Sequence, residues 1–139
     1  MNTKKIVRLS PPLLSENYIK EKIICIRGHR ERLFNTSFEH KDSKYIFHNY
    51  GQGGAGWTFL FGCVHESISQ LHSAIVKNAE LYNQPITVIG AGCYGLLTAI
   101  LLKRAGHDVT IIAKETHSIP SYKAAGFFFP RPRKSRRGR

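Results

Sequence analysis

Residues 86–113 read ITVIGAGCYGLLTAILLKRAGHDVTIIA, and this stretch decides the fold. It opens on a short, continuous apolar run, Ile86–Ile89, of the kind a parallel strand covered on both faces carries. Three glycines follow at positions 90, 92 and 95, and then Leu96–Ala105 (LLTAILLKRA), a run rich in helix formers. Gly106 supplies a helix stop, and Val109–Ala113 (VTIIA) is expected as the next buried strand. The spacing GxGxxG, directly after a strand and opening a helix, has a physical sense. The first glycine makes the tight turn, the second admits a pyrophosphate to the backbone, and the third lets helix and strand pack closely. The helix N-terminus adds N–H groups without intrahelical partners and a partial positive charge for the phosphates. Gly90, Ala91, Gly92 and Gly95 are therefore expected to hold a dinucleotide. Glu115 lies 25 residues past Gly90, near enough for a ribose contact, and Lys114 beside it suits a phosphate.

Upstream, the order is repeated with a second glycine cluster. Lys22–Arg27 (KIICIR) reads as a strand, residues 40–43 (HKDS) as a turn, and Lys44–Asn49 (KYIFHN) as another strand. The cluster GQGGAG spans Gly51–Gly56. Beyond it Leu60, Val64, Ile68, Leu71, Ile75 and Ala79 recur at helical spacing and form one apolar stripe, ended by Asn83 and Pro85. The order β–glycine loop–α–β–glycine loop–α–β predicts an α/β fold, a Rossmann-type βαβαβ with a parallel sheet, incomplete, whose last strand is an edge or near-edge strand. Three regions follow: an irregular segment over 1–20, the nucleotide-binding domain over 21–130, and a basic, disordered tail over 131–139.

Composition narrows the classes. The chain has 139 residues, 21 Lys and Arg against nine Asp and Glu, and a formal net charge of +12. With 42% hydrophobic residues it is too apolar to be disordered throughout. No apolar run approaches the ~18 residues of a membrane span, and MNTKKIVRLSPP lacks the apolar core of a signal peptide. Cys25, Cys63 and Cys93 make an odd count without a CxxC, which argues against a disulfide framework or zinc knuckle and for a reduced, cytoplasmic setting. His65-Glu66 begins like HExxH, but Ser69 stands where the second histidine belongs, and no metal is expected.

The second cluster carries more. His48-Asn49-Tyr50-Gly51-Gln52-Gly53-Gly54-Ala55-Gly56-Trp57-Thr58, running on to Gly62-Cys63, resembles the HNYGHGG-x-G-x-T signature of the D-amino-acid oxidase family, with Gln52 where the family has histidine. Ile26-Arg27-Gly28-His29-Arg30 is similar to the RPxR segment ahead of that signature, with Gly28 in place of proline. Ala113-Lys114-Glu115 resembles the family's basic–acidic pair, and Ser121–Gly126 with Pro130 looks like its AAG…P loop beside the flavin. In that family GxGxxG is N-terminal and HNYG lies far downstream. Here HNYG comes first, so the order looks circularly permuted, with the join at Leu81–Pro85.

The resemblance implies FAD as cofactor and an amino acid as substrate, oxidised by hydride transfer to flavin with O₂ as the reoxidant. It implies that Gly53, Gly54, Gly56, Trp57 and Thr58 face the flavin's pyrimidine edge, where a helix N-terminus stabilises negative charge. Ala124, Ala125 and Gly126 would lie beside the flavin. Arg30 would hold the substrate carboxylate, with Arg27 in reserve, because a guanidinium grips a carboxylate bidentately. The family's substrate domain has no counterpart after the AAG loop. The expectation is therefore a fragment, an inactive flavin-domain remnant with weak or no turnover, or else a working oxidase completed by a partner chain that supplies the missing substrate domain. A third reading makes the chain a basic nucleic-acid module acting through RPRKSRRGR, where six of the basic residues fall. An incidental terminus explains that tail more simply.

Overall fold

The structure is a computed structural model that describes residues 10–13, 15–24, 26, 28–31 and 33–124. Cys25, Arg27, Ala125, Gly126 and the basic tail lie outside the described residues. The architecture is an incomplete α/β fold, and its parallel part is the unit expected over 86–113. Strand β3 (Ile86–Ile89) pairs in parallel with β4 (Val109–Ile112), Ile86 opposite Val109 and Ile89 opposite Ile112. The crossover between them is helix α2 (Cys93–Arg104), which packs on both strands. It begins at Cys93 rather than Leu96, because the residues of the glycine loop already form its first turn. Gly106, at φ +91°, ends it as a Schellman motif: the N–H of Gly106 donates to the Lys103 carbonyl and that of His107 to the Leu102 carbonyl. Lys103 and Arg104 in its last turn complement the helix dipole.

The strand expected at 44–49 does not join that sheet. Instead β1 (Phe38–Lys41) and β2 (Lys44–Phe47) form an antiparallel hairpin. Its turn is Asp42-Ser43 alone, at φ 48° and 61°, so His40 and Lys41 belong to a strand and not to the turn. Two positive φ values mark the tight two-residue connection whose twist matches that of the strands. Cross-strand aromatic pairs hold the register, Phe38 on Phe47 at 4.9 Å and His40 on Tyr45 at 4.4 Å between ring centroids.

Helix α1 (Gly56–Lys77) buries Leu60, Cys63, Val64, Ser67, Leu71 and Ala74, with Val64 fully enclosed. This is the expected stripe rotated slightly, with Ile68 and Ile75 on its half-buried flank. The helix stops at Lys77, before Asn83 and Pro85. Asn78 takes an extended conformation and accepts the N–H of Glu80 on its side chain, starting a 3-10 turn over Ala79–Asn83, so Ala79 falls outside the stripe. Helix α1 packs against α2 and against β2. A short helix α3 (Pro120–Lys123) follows β4.

Two further expectations change. In β3 Ile86 and Val88 are half-buried while Thr87 and Ile89 face solvent, and β4 is exposed from Thr110 onward. The sheet is thus covered on one face, by α2, and not on both. Among the described residues of Lys22–Arg27 no strand forms, and Ile24 and Ile26 are 98% and 92% exposed. A β-prone segment needs a neighbouring strand to satisfy its backbone, and among the described residues none pairs with it. His29 bridges Gln52 and Asn35 bridges Tyr50, both antiparallel, so both residues lie alongside the second glycine cluster.

Candidate functional site

The glycine loop Gly90–Gly95 sits at the C-terminal ends of β3 and β4, where parallel α/β sheets bind ligands. Its N–H at Gly90 donates to the Ile112 carbonyl, which fixes the loop to the end of β4. Gly90 has φ +104°. At Gly95 a Cβ would collide with the Gly90 carbonyl oxygen, so helix and loop approach in the way only a glycine allows. Gly92 is the N-cap and carries no capping side chain, and the first N–H groups of α2 have no partners within the helix. One of them, Cys93 N–H, donates to Ser121 Oγ at 3.1 Å. The segment after β4 therefore folds back over the loop. Ser121 was legible only as part of a longer motif; a hydroxyl just after the helix-starting Pro120 is the signal that marks it. Lys114 and Glu115 are exposed directly beyond β4, and Ala124 is exposed after α3.

The second loop is built by close approach. Gly51, at φ +88°, has Arg30 Cβ 2.8 Å from where its own Cβ would stand, so only glycine lets the two segments touch. The N–H of Gly53 donates to the Gly28 carbonyl at 3.2 Å. Arg30 is thereby brought against the cluster, with Nη1 donating to the Leu33 carbonyl at 3.1 Å. Phe34 packs on Phe59 at 5.4 Å between centroids, and Gln70 Nε2 donates to the Thr36 carbonyl at 2.7 Å. These contacts seat the segment on α1. Gly53 and Gly54 are exposed, Gly56 and Thr58 half-buried, and the Trp57 ring reaches the surface.

The two loops meet. The Tyr94 hydroxyl, from the GxGxxG loop, donates to the Gly56 carbonyl at 2.9 Å, joining the first turns of α2 and α1. Burial pushes the Tyr94 phenol well above its ordinary value, and the neighbouring Cys63 and Cys93 thiols add to the effect, so it remains a protonated donor. Burial likewise pushes the Cys63 thiol up, partly offset by hydrogen bonds with Tyr94 and Gln52. Gln52 Nε2 in turn donates to Asn49 Oδ1 at 3.0 Å, so the cluster is stitched to α1 from within. Neither Tyr94 nor Cys63 was a sequence candidate, since an aromatic inside a glycine motif reads as filler until its partner is known.

These residues suit an elongated ligand with an anionic centre. The collision a Cβ would make at Gly95, the capless Gly92 and the pair of adjoining helix starts leave backbone N–H groups, not side chains, to meet it. Among the described residues no helix is long and apolar enough to cross a membrane.

Comparison with known proteins agrees. Residues 83–128 match the profile of the family described as FAD binding domain, a stretch that takes in β3, the glycine loop, α2, β4 and α3. The chain is 43% identical over 77 residues to a D-amino-acid oxidase of Dictyostelium discoideum, which covers 52% of this chain and 22% of that protein. It thus spans about a fifth of the length of the curated relative it matches. No solved structure matches at a comparable level. The family match indicates FAD binding.

Proposed function

We propose that this chain is the FAD-binding part of an oxidoreductase of the D-amino-acid oxidase type, with its segments in circularly permuted order. The observation that carries the reading is the junction of the two glycine loops through Tyr94 and Gly56. A lone GxGxxG would suit any dinucleotide. A second loop of HNYG type, held against it on the first turn of a neighbouring helix, suits a cofactor that reaches beyond its pyrophosphate to a ring needing N–H donors. The permuted order is supported by the short connection from α1 through the 3-10 turn into β3, since domain termini often lie close together.

FAD, when bound, supplies a hydride acceptor for the substrate α-carbon and passes the electrons to O₂, giving an imino acid and peroxide. The chain's own residues bind and orient. Gly90, Ala91, Gly92 and Gly95 take the pyrophosphate, Glu115 accepts from ribose hydroxyls, and Lys114 adds a positive charge. Gly53, Gly54, Gly56, Trp57 and Thr58 present the start of α1 to the flavin ring, where a helix N-terminus stabilises developing negative charge. Ala124 would lie beside the ring; Ala125 and Gly126, expected there too, fall outside the described residues. Arg30 holds the carboxylate of the amino acid, with Arg27 in reserve, and a second chain completes the substrate pocket. The setting is the cytoplasm, in keeping with free Cys63 and Cys93.

The test uses protein isolated from its own cells, with any chain that accompanies it, loaded with FAD and freed of air. D-amino acids are expected to bleach the visible flavin band, L-amino acids to leave it, and readmitted O₂ to restore the colour with release of peroxide. A band that no D-amino acid bleaches contradicts the oxidase reading.

A further inference from the structure

We infer that Tyr94 is a positioning residue for FAD, a tether that sets the second glycine loop at the correct distance from the first before the cofactor arrives. The inference rests on the proposed flavin role of the α1 loop. Four observations carry it. The Tyr94 hydroxyl donates to the Gly56 carbonyl at 2.9 Å across 38 positions of sequence. Gly56 opens α1, and a Cβ placed there would stand 3.6 Å from the Tyr94 ring, so the ring lies beside this turn. The phenol is half-buried, in hydrogen-bonding reach of the Cys63 thiol on the buried face of α1. Finally, Ala55, the α1 N-cap, makes no capping side-chain bond.

FAD is long enough to engage both loops, whereas ADP engages only the α2 loop. A first turn of α1 held in place in the free protein spares FAD the cost of ordering it on binding. Removing the tether therefore weakens FAD and leaves ADP alone.

The experiment compares wild type and Tyr94→Phe, which keeps the ring and removes only the hydroxyl. FAD and ADP affinities are measured by titration, alongside hydrogen exchange of the amides of residues 56–60. Losing a hydrogen bond of ordinary net strength, about 1.4 kcal/mol, corresponds to about a tenfold loss of FAD affinity. The expected result is that loss, with ADP affinity within about twofold and faster exchange at the start of α1. Equal FAD affinity in the two proteins overturns the tether and leaves FAD binding intact. Parallel losses for FAD and ADP overturn it too, because Tyr94 then shapes the phosphate loop. A wild type that binds ADP and not FAD defeats the flavin reading itself, and the tether with it. Should Tyr94→Phe fold poorly, Tyr94→Trp keeps a donor on a rigid ring, and its recovery of FAD affinity over Tyr94→Leu distinguishes the bond from bulk; no recovery overturns the tether.

Discussion

The Tyr94 hydroxyl donates to the Gly56 carbonyl at 2.9 Å, and this bond joins two helices whose first turns each follow a glycine loop. It also makes the fold sensitive to alkali. Burial raises Tyr94 above its ordinary 10.0 and Cys63 above its ordinary 9.0, so in this range the folded chain keeps protons that the unfolded chain releases. Groups raised in this way stabilise fully below their unfolded values, and that stability is lost as pH rises past them. Thermal midpoints followed by circular dichroism should hold near pH 8 and fall from about pH 9 to 11. In Tyr94→Phe the fall beyond pH 10 should be shallower. An equal fall in both proteins would remove Tyr94 as a cause.

Gly95→Ala tests the close packing of loop and helix. The added methyl meets the Gly90 carbonyl oxygen, a backbone atom that cannot turn aside. Overpacking of this kind costs about 1–3 kcal/mol. Urea denaturation should register that loss, and FAD and ADP affinities should drop together, unlike the split expected for Tyr94→Phe. Unchanged stability would mean that the loop does not press on α2.

How much of this was legible in the sequence follows from locality. The unit over 86–113 could be read because its strand, glycines, helix and stop are consecutive and interact with each other, as the Gly106 cap and the Ile86–Val109 register bear out. The pairing of Lys44–Phe47 could not, because an apolar run carries no mark of its partner; the Asp42-Ser43 turn beside it decided for a hairpin. The same holds for Lys22–Arg27, whose β-branched residues promise a strand but bring no neighbour. At the site, Gly90, Gly92 and Gly95 were readable from spacing. Tyr94, Cys63 and Ser121 gain their places from contacts distant in sequence, such as Ser121 with Cys93 across 28 positions.

Arg30 lies against Gly51, so the proposed carboxylate contact can be separated from cofactor binding. Arg30→Lys keeps the charge and loses the planar fork. FAD affinity should stay within about twofold while the KM for a D-amino acid rises roughly tenfold or more, about the worth of one charge-assisted hydrogen bond. An unchanged KM would assign the carboxylate to another residue.

Residues 131–139 hold six of the 21 basic side chains, so their removal isolates the tail. The truncated chain should bind FAD as the full chain does. If nucleic acid were the true ligand, the full chain would bind it with an affinity falling steeply in salt, and truncation would abolish that binding. Loss of FAD on truncation would instead assign the tail to the cofactor site.

One measurement bears on all of this: the visible absorption spectrum of the purified protein after incubation with FAD and removal of the free cofactor. A flavin band that stays with the protein, with a shape shifted from that of FAD in water, is the expected result. A folded, colourless protein would contradict FAD binding by the glycine loops, and with it the function proposed for the chain.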